Sequence, residues 1–168
     1  MKETKVLVVM GSDSDFDQVK PAVTVFEELG IAFEVRVSSA HRTPKATADL
    51  AKKASDRGIR VIIAAAGGAH HLAGAISANT LLPVIALPIV KGGLGGLDAL
   101  LSAVQMPPGV PVASVGMMGG AANAALFAAS ILALEDHPLA NRLKERRQTA
   151  AKKVEAADRE LQKKIEER

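Results

Sequence analysis

Short apolar runs alternate with helical segments along this chain, and that alternation limits the possible folds more than any other feature. β-Branched and aliphatic residues predict five strands, over residues 5–10, 31–37, 61–66, 83–88 and 110–115. Apolar positions at helical spacing predict one helix after Gly11 and others over residues 44–57, 71–80, 98–105 and 121–134. Because a helical crossover connects each strand to the next, the strands run parallel. We therefore predict an α/β fold with a flavodoxin-like, five-stranded parallel sheet.

The chain divides into two segments of different character. Its 168 residues, 48% of them hydrophobic, suffice for one domain, which we assign to residues 1–136. Residues 137–168 have one apolar stripe at helical spacing and carry ten Lys and Arg residues against six Asp and Glu. This pattern predicts a long amphipathic helix that outruns the domain, and we expect its apolar stripe to pack on a neighbouring subunit. A helix that frays at its end is the alternative.

Composition excludes several classes of protein. The chain has no cysteine, which removes disulfide scaffolds, thiolate metal sites and a cysteine nucleophile. No apolar run approaches the roughly 20 residues of a membrane span, and the first residues lack a signal-peptide core. We therefore expect a cytoplasmic protein without membrane contact. Aromatic residues make up only 2% of the chain, too few for a base-stacking surface, so we expect no nucleic-acid partner.

Polar and glycine-rich loops follow the first three predicted strands, over residues 11–15, 38–44 and 67–74. In an open parallel sheet, ligands bind beyond the carboxyl ends of the strands, where neighbouring connections diverge. If the first strand lies between the second and the third, these three loops converge. We therefore expect the functional site at this edge of the sheet.

The first loop combines glycine, hydroxyls and carboxylates at the start of a helix. Gly11 allows close backbone approach, and free amides at a helix N-terminus suit an anion. Because neighbouring aspartates repel a phosphate, we assign Ser12 and Ser14 to phosphate binding or loop shaping. Asp15 is assigned to hydroxyl groups such as those of a ribose. Plain N-capping by these residues is the alternative.

In the second loop, His41 stands beside Arg42. An imidazole transfers protons near neutral pH, and a guanidinium grips a phosphate with two hydrogen bonds. We interpret His41 as an acid/base group and Arg42 as an anchor. A surface loop with a solvated histidine is the alternative. Thr43 and Pro44 after them predict the N-cap and the first position of a helix.

The third loop holds Gly67 and Gly68, which allow close backbone approach, followed by His70 and His71. Adjacent helical residues point about 100° apart, and no carboxylate or cysteine lies nearby in the sequence. A metal pair is therefore disfavoured, and we expect one of the two histidines to be structural.

A second glycine-rich segment covers residues 91–96. Its spacing matches neither a dinucleotide-binding loop nor a P-loop. We interpret it as a mobile flap in which Lys91 is solvated. The alternative is that Lys91 adds positive charge at the entrance of the site.

Five stretches resemble one known family: VVMGSDSD (8–15), SSAHRTP (38–44), AAAGGAHHLAG (64–74), GLDALLSAVQMPPGVPV (96–112) and AANAALFAASILAL (121–134). The chain is similar to the N5-carboxyaminoimidazole ribonucleotide mutases of purine biosynthesis, the PurE family, over most of its length. The resemblance implies a three-layer α/β/α fold, a homo-octamer, and neither metal nor organic cofactor. It also implies an isomerase of the route to IMP, which moves a carboxylate from an exocyclic nitrogen of an aminoimidazole ribonucleotide to ring carbon 4.

The resemblance also assigns site residues. The family's SAHR motif matches His41, which we predict to be the catalytic proton donor and acceptor. Carbon dioxide leaves and is recaptured in this chemistry, and residues 92–96 are a candidate cover that keeps it from escaping. The predicted substrate-binding residues are Gly11, Ser12, Ser14, Asp15, Ser39, Ala40, Arg42, Gly67, Gly68, His71 and Leu72.

The third loop departs from the family's pattern at two positions, where His70 replaces an alanine and Ala73 replaces a proline. The runner-up interpretation is a carboxylase that uses free carbon dioxide on aminoimidazole ribonucleotide; the AHHL arrangement resembles the mutase more closely. An alternative from a different functional class is a flavodoxin-like nucleotide-binding module without catalysis. That class lacks support, because the chain has no aromatic pair to hold a flavin.

Overall fold

The computed structural model describes residues 3–167 and contains a wholly parallel sheet. Its strands are β1 (Val6–Met10), β2 (Phe33–Val37), β3 (Val61–Ala66), β4 (Val84–Pro88) and β5 (Ala113–Ser114). Its helices are α1 (Phe16–Leu29), α2 (Pro44–Lys52), α3 (His71–Ser77), α4 (Leu97–Val104), α5 (Gly120–Leu132) and α6 (His137–Glu166). The five strands lie in the order β2-β1-β3-β4-β5, so the predicted flavodoxin-like sheet is confirmed.

Helices cover both faces of the sheet, which gives the three layers that the resemblance implied. On one face, Val8 and Ile63 pack with α1 and α5 in an apolar core. On the other face, Leu7 and Ile62 pack with α2 and α3. Every residue of β1, β3 and β4 is buried, because both sides of these strands are covered. This double burial explains their uninterrupted apolar sequences.

The largest differences from the predicted bounds are one helix and one strand that are shorter than the sequence pattern suggested. The helix predicted over residues 44–57 ends at Lys52, because a single 3-10 turn takes over before the chain returns to the sheet. The strand predicted over residues 110–115 pairs only through Ala113–Ser114. Pro111 has no amide hydrogen to donate to a ladder, and this strand lies at the edge of the sheet.

The long C-terminal helix forms as predicted and leaves the domain along most of its length. It starts where the Asp136 carboxylate accepts a hydrogen bond from the Leu139 amide at 2.9 Å, and Leu139 is buried. Farther along, Val154, Leu161 and Ile165 are 71%, 54% and 57% exposed. Residues 1, 2 and 168, which belong to the two segments assigned from the sequence, lie outside the described residues. No helix within residues 3–167 has the length and hydropathy to cross a membrane.

Candidate active site

The order of the strands brings the three polar loops together. β1 lies between β2 and β3, and the pairing is in register up to Met10, Val37 and Ala65. The chain leaves β1 toward α1 on one face, but leaves β2 and β3 toward helices on the other face. The connections therefore diverge at this point, which is where parallel sheets bind ligands.

Hydrogen bonds fix the loop between β2 and α2. The buried Ser38 hydroxyl bonds to Thr47 Oγ1 at 2.7 Å and so ties the end of the strand to the helix. Thr43 Oγ1 accepts from the Ser39 amide at 3.0 Å and donates to the Ser39 carbonyl at 3.1 Å. Thr43 is the N-cap residue of α2 and Pro44 follows it in the first turn, as predicted, but the Thr43 hydroxyl makes no cap bond and closes the loop upstream instead. The outcome is a fixed turn that presents the side chains of His41 and Arg42 to solvent.

His41 and His71 form a hydrogen-bonded pair at the centre of the site. Nε2 of His41 lies 2.8 Å from Nδ1 of His71, and the rings meet edge to face with centroids 4.9 Å apart. Both residues are exposed, and they come from different loops. A bond between two imidazole nitrogens needs one N–H and one lone pair, so the pair holds a proton between its rings. The sequence predicted both residues for the site, but not their contact.

Arg42 joins the second loop to the first. Its guanidinium donates to the Gly11 carbonyl at 2.8 Å, and its amide donates to Ser39 Oγ at 3.2 Å. The side chain is exposed, and a guanidinium has five N–H groups, so donors remain for an anion. A Cβ atom at Gly11 would lie 3.5 Å from the Ala66 Cβ, which is an ordinary contact. No atom within residues 3–167 therefore lies so close to Gly11 that a side chain is excluded there. The close approach of a ligand to the Gly11 backbone stays a prediction.

The first loop contains a chain of hydrogen bonds between side chains. Ser12 Oγ donates to Asp13 Oδ1 at 3.1 Å and lies 2.9 Å from Ser14 Oγ. Ser12 also caps the short 3-10 turn Asp13–Asp15, because its Oγ accepts from the Ser14 amide at 3.4 Å. The capping alternative thus holds for Ser12, and Asp13 Oδ1 accepts from the same Ser14 amide at 2.9 Å, whereas Asp15 occupies the N-cap position of α1 without a side-chain cap bond.

Asp15 and Lys91 form an ion pair that crosses from the first loop to the glycine-rich segment. Asp15 is only 2% exposed, and its Oδ1 contacts Nζ of Lys91. Lys91 is therefore ion-paired rather than free in solvent, although its side chain stays 41% exposed. Its aliphatic chain passes close to Gly67, where an added Cβ would lie 3.2 Å from the Lys91 Cβ. Gly68 adopts φ 64°, a left-handed conformation that favours glycine.

His70 is the structural histidine of the third loop. Its side chain is 1% exposed, and its amide donates to Ser102 Oγ at 2.8 Å. Within residues 3–167, neither ring nitrogen reaches hydrogen-bond geometry, although the Ala64 carbonyl lies near enough to favour a proton. Burial lowers the pKa of His70 to about 4, and the charges of Asp15 and His71 act in opposite directions on it. His70 is thus a neutral core residue, distinct from His71 beside it.

This burial predicts an acid-sensitive stability. An unfolded histidine has a pKa of 6.5, so between pH 6.5 and about 4 the unfolded state binds more protons than the folded state. The contribution of neutral His70 is present above pH 6.5 and is lost as the pH falls, by about 3 kcal/mol near pH 4. In urea unfolding across this range, we expect His70→Ala to flatten the pH dependence and His137→Ala, at an exposed position, to leave it unchanged. Parallel curves for wild type and His70→Ala would contradict the assignment.

Two predicted contact residues sit deeper than expected. Leu72 is 2% exposed and packs in the apolar core beneath α3, so contact with a ligand is left to its backbone. Ala40 packs partly against the same core.

Two positioning residues, Gln18 and Thr47, were not singled out from the sequence, and Lys91 was considered there without its partners. Gln18 brackets the backbone of Val90, with Oε1 accepting from its amide at 2.9 Å and Nε2 donating to its carbonyl at 3.1 Å. Thr47 and Lys91 act as described above. Thr47 could have been identified from the sequence, because it places a hydroxyl on the apolar face of α2. The roles of Gln18 and Lys91 could not be found from the periodicity of the sequence, because the residues that they contact lie more than 70 positions away.

Electrostatically, the site combines two cations with two carboxylates. Arg42 and Lys91 border the loop that holds Asp13 and Asp15. Within residues 3–167, no three histidine, aspartate or glutamate side chains lie together as a metal-binding group. The arrangement can bind an anion and exchange a proton.

Comparisons with known proteins match this geometry. Residues 5–153 match the family described as AIR carboxylase. The chain is 51% identical to the N5-carboxyaminoimidazole ribonucleotide mutase of Pyrococcus abyssi, over 86% of this chain and 82% of that one. It is 50% identical to the mutase of the same name from Mycobacterium tuberculosis, over 94% of this chain and 90% of that one.

Solved structures agree with the sequence comparison. The fold is similar to that of Treponema denticola PurE, with a TM-score of 0.85 and 30% identity, over 94% of this chain and 98% of that one. It is also similar to the Treponema denticola variant PurE2-S38D, with a TM-score of 0.87 and 27% identity, over 95% and 99% of the two chains.

Proposed function

The chain belongs to the AIR carboxylase family, and we propose that His41 carries out the proton transfers of its reaction. The chain is an isomerase of purine biosynthesis that converts N5-carboxyaminoimidazole ribonucleotide to 4-carboxy-5-aminoimidazole ribonucleotide, on the route to IMP. One observation carries the proposal for His41: its ring lies where three loops converge, bonded to His71 at 2.8 Å and next to the anchor Arg42.

The first half of the reaction requires a proton donor. The bond between the exocyclic nitrogen and the carboxylate carbon breaks, its electron pair stays on nitrogen, and carbon dioxide is released. His41 donates a proton to that nitrogen. The group that remains is an amine on an electron-rich ring, whose carbon 4 is the next nucleophile.

The second half requires a base at the same place. Ring carbon 4 attacks carbon dioxide and forms the new carbon–carbon bond, and its hydrogen leaves as a proton to restore the aromatic ring. His41 accepts this proton, so the enzyme returns to its starting protonation state. One imidazole that serves both steps is general acid/base catalysis, with an effect of about 100- to 10,000-fold on rate.

His71 acts as a positioning residue in this scheme. Its ring bonds His41 Nε2, and so restricts both the orientation of the His41 ring and the nitrogen that carries the proton. The pair also holds the proton of the first step until it is needed. His71 comes from the first turn of α3, so its position is set by the packing of that helix against the sheet.

The first two loops supply the binding groups. The guanidinium of Arg42 and the hydroxyls of Ser12 and Ser14 bind the phosphate, because they are the donors clustered at the start of the Asp13–Asp15 turn. Asp15 accepts from the ribose hydroxyls. The glycine-rich residues 92–96 cover the site during the reaction and limit the loss of carbon dioxide.

The experiment that tests this function supplies two substrates separately. Purified protein is given N5-carboxyaminoimidazole ribonucleotide, or aminoimidazole ribonucleotide with bicarbonate, and formation of the 4-carboxy product is followed. We expect fast conversion of the first and little of the second. Fast conversion of the second alone would favour the carboxylase, and no conversion of either would favour a binding module without catalysis.

We propose further that eight copies of the chain assemble, with the stripe of α6 against a neighbouring copy. Exposed apolar side chains on α6, among them Val154 and Leu161, have no cover within residues 3–167. A second copy of the same chain supplies an equally apolar surface. We place this assembly in the cytoplasm, since a chain without cysteine needs no oxidising compartment.

Light scattering tests the assembly. Wild-type protein is expected to have a mass near eight times that of one chain, and the double variant Val154→Glu/Leu161→Glu a smaller one, because each charge would be buried against the neighbour. Gln162→Glu, beside the stripe, is the matched control and keeps the wild-type mass. A monomeric wild type would contradict the proposal.

A further inference from the structure

We propose that Lys91 binds the substrate's phosphate, and that it exchanges the Asp15 carboxylate for that phosphate when the nucleotide enters. Lys91 lies outside every motif on which the family resemblance depends. The inference rests on the proposed function, because it takes a ribonucleotide as the substrate.

The position of the Lys91 ammonium group is the first argument. Nζ donates to Ser14 Oγ at 2.8 Å, and Ser14 Oγ lies 2.9 Å from Ser12 Oγ. Since Ser12 donates its own proton to Asp13, the hydroxyl of Ser14 is the donor to Ser12. An anion bound by these two hydroxyls comes within hydrogen-bond reach of Nζ.

Charge is the second argument. The first loop carries Asp13 and Asp15, which repel a phosphate, while the guanidinium of Arg42 is partly used by the Gly11 carbonyl. Lys91 offsets the Asp15 charge through their ion pair. With Lys91 as a second cation, the loop can accept a phosphate dianion. Arg42 alone would not balance the charges of two carboxylates and a dianion.

The way Lys91 is held is the third argument. The preceding residue, Val90, is fixed by two hydrogen bonds with the Gln18 side chain. A Cβ on Gly67 would lie 3.2 Å from the Lys91 Cβ and 3.3 Å from its Cδ, so the absence of a side chain at Gly67 opens the path of the lysine. The anchored backbone delivers a flexible side chain, 41% exposed, to the mouth of the site.

The exchange follows from these contacts. In the protein alone, Nζ is shared between Asp15 and Ser14. When the phosphate binds at the two serines, Nζ turns to it, and the Asp15 carboxylate accepts the ribose hydroxyls instead. Every charged group thus keeps a partner, which is what a carboxylate as buried as Asp15 requires.

A substrate pair tests the inference. The kcat/KM of wild type and Lys91→Met is measured with N5-carboxyaminoimidazole ribonucleotide and with the riboside that lacks the phosphate. We expect Lys91→Met to lower kcat/KM for the nucleotide about 10- to 100-fold and to lower the value for the riboside much less. Lys91→Arg keeps the charge and recovers most of the loss. Lys53→Met, an exposed lysine at the far end of α2, is the matched control.

The outcomes separate the inference from the function. Equal losses with nucleotide and riboside would mean that Lys91 only supports Asp15, and no loss with either would remove it from the site; both overturn the inference. If wild type converted neither substrate, the proposed function would fail, and binding of ribose 5-phosphate would test Lys91 alone. Weaker binding of ribose 5-phosphate by Lys91→Met than by Lys53→Met would then support the inference, and equal binding would overturn it.

Discussion

Replacing His41 by asparagine is expected to lower kcat by about 100- to 10,000-fold and to change KM only a few-fold. Asparagine retains one hydrogen-bonding amide near His71 but has no group that can give up a proton and take it back. The loss therefore falls on the chemical steps and spares binding by Arg42 and the serines. Steady-state kinetics with N5-carboxyaminoimidazole ribonucleotide measure both quantities.

Two further variants make this result specific. His137→Asn, at the exposed start of α6, is the matched control and retains wild-type kcat. His71→Asn is expected to lower kcat less than His41→Asn, because it removes the partner that orients the reacting ring rather than the ring itself. If His41→Asn kept most of the wild-type kcat, the proton-transfer role would be wrong.

Replacing Arg42 by alanine is expected to lower kcat/KM by about 100-fold, chiefly through a higher KM. Its guanidinium is the charged, pre-oriented donor beside the serine hydroxyls, and charge-assisted hydrogen bonds of this kind contribute about 1.5–3 kcal/mol each. The bond from Arg42 to the Gly11 carbonyl, at 2.8 Å, also ties two loops together, so some loss in kcat accompanies the change.

Lysine at position 42 serves as the conservative variant. Arg42→Lys keeps the charge but loses the two-pronged geometry, so we expect it to recover only part of the loss. Arg36→Ala, an exposed arginine on β2 whose nearest carboxylate lies 3.7 Å away, is the matched control with wild-type kinetics. A KM for Arg42→Ala equal to that of Arg36→Ala would contradict the anchor role.

The fold followed from the sequence because burial on both faces leaves a simple pattern. β3 was predicted with its observed bounds, since six consecutive apolar residues between Arg60 and Gly67 leave little choice of ends. β5 was overestimated, because apolar residues near Pro111 resemble a strand even where the ladder lacks a donor. The parallel order also followed, as crossover connections permit few alternatives.

The candidate site followed from the sequence only in part. His41 and Arg42 belong to a compact loop, so they were visible as neighbours, and His71 matched a motif of the family. The contact between His41 and His71 spans 30 positions, and that between Lys91 and Ser14 spans 77. Such contacts depend on the relative orientation of loops that follow different strands. The spacing of residues along the chain does not show that orientation.

The two adjacent histidines illustrate the same limit. His70 and His71 look equivalent in sequence, yet one is 1% exposed and the other faces the site. The two side chains differ in exposure because α3 starts between them, and successive helical side chains point about 100° apart. The sequence indicated that one of them was structural; the packing of α3 against α4 selects His70.

The central claim is that one carboxylate moves within one closed site, with His41 returning the proton it gives. The most direct measurement supplies substrate labelled with carbon-13 in its N-carboxylate, in excess unlabelled bicarbonate, and follows the label in the product. Retention of the label at the 4-carboxylate is the predicted result. Product that carries unlabelled carboxylate would contradict the account, because carbon dioxide would then have been released and taken up again from solution.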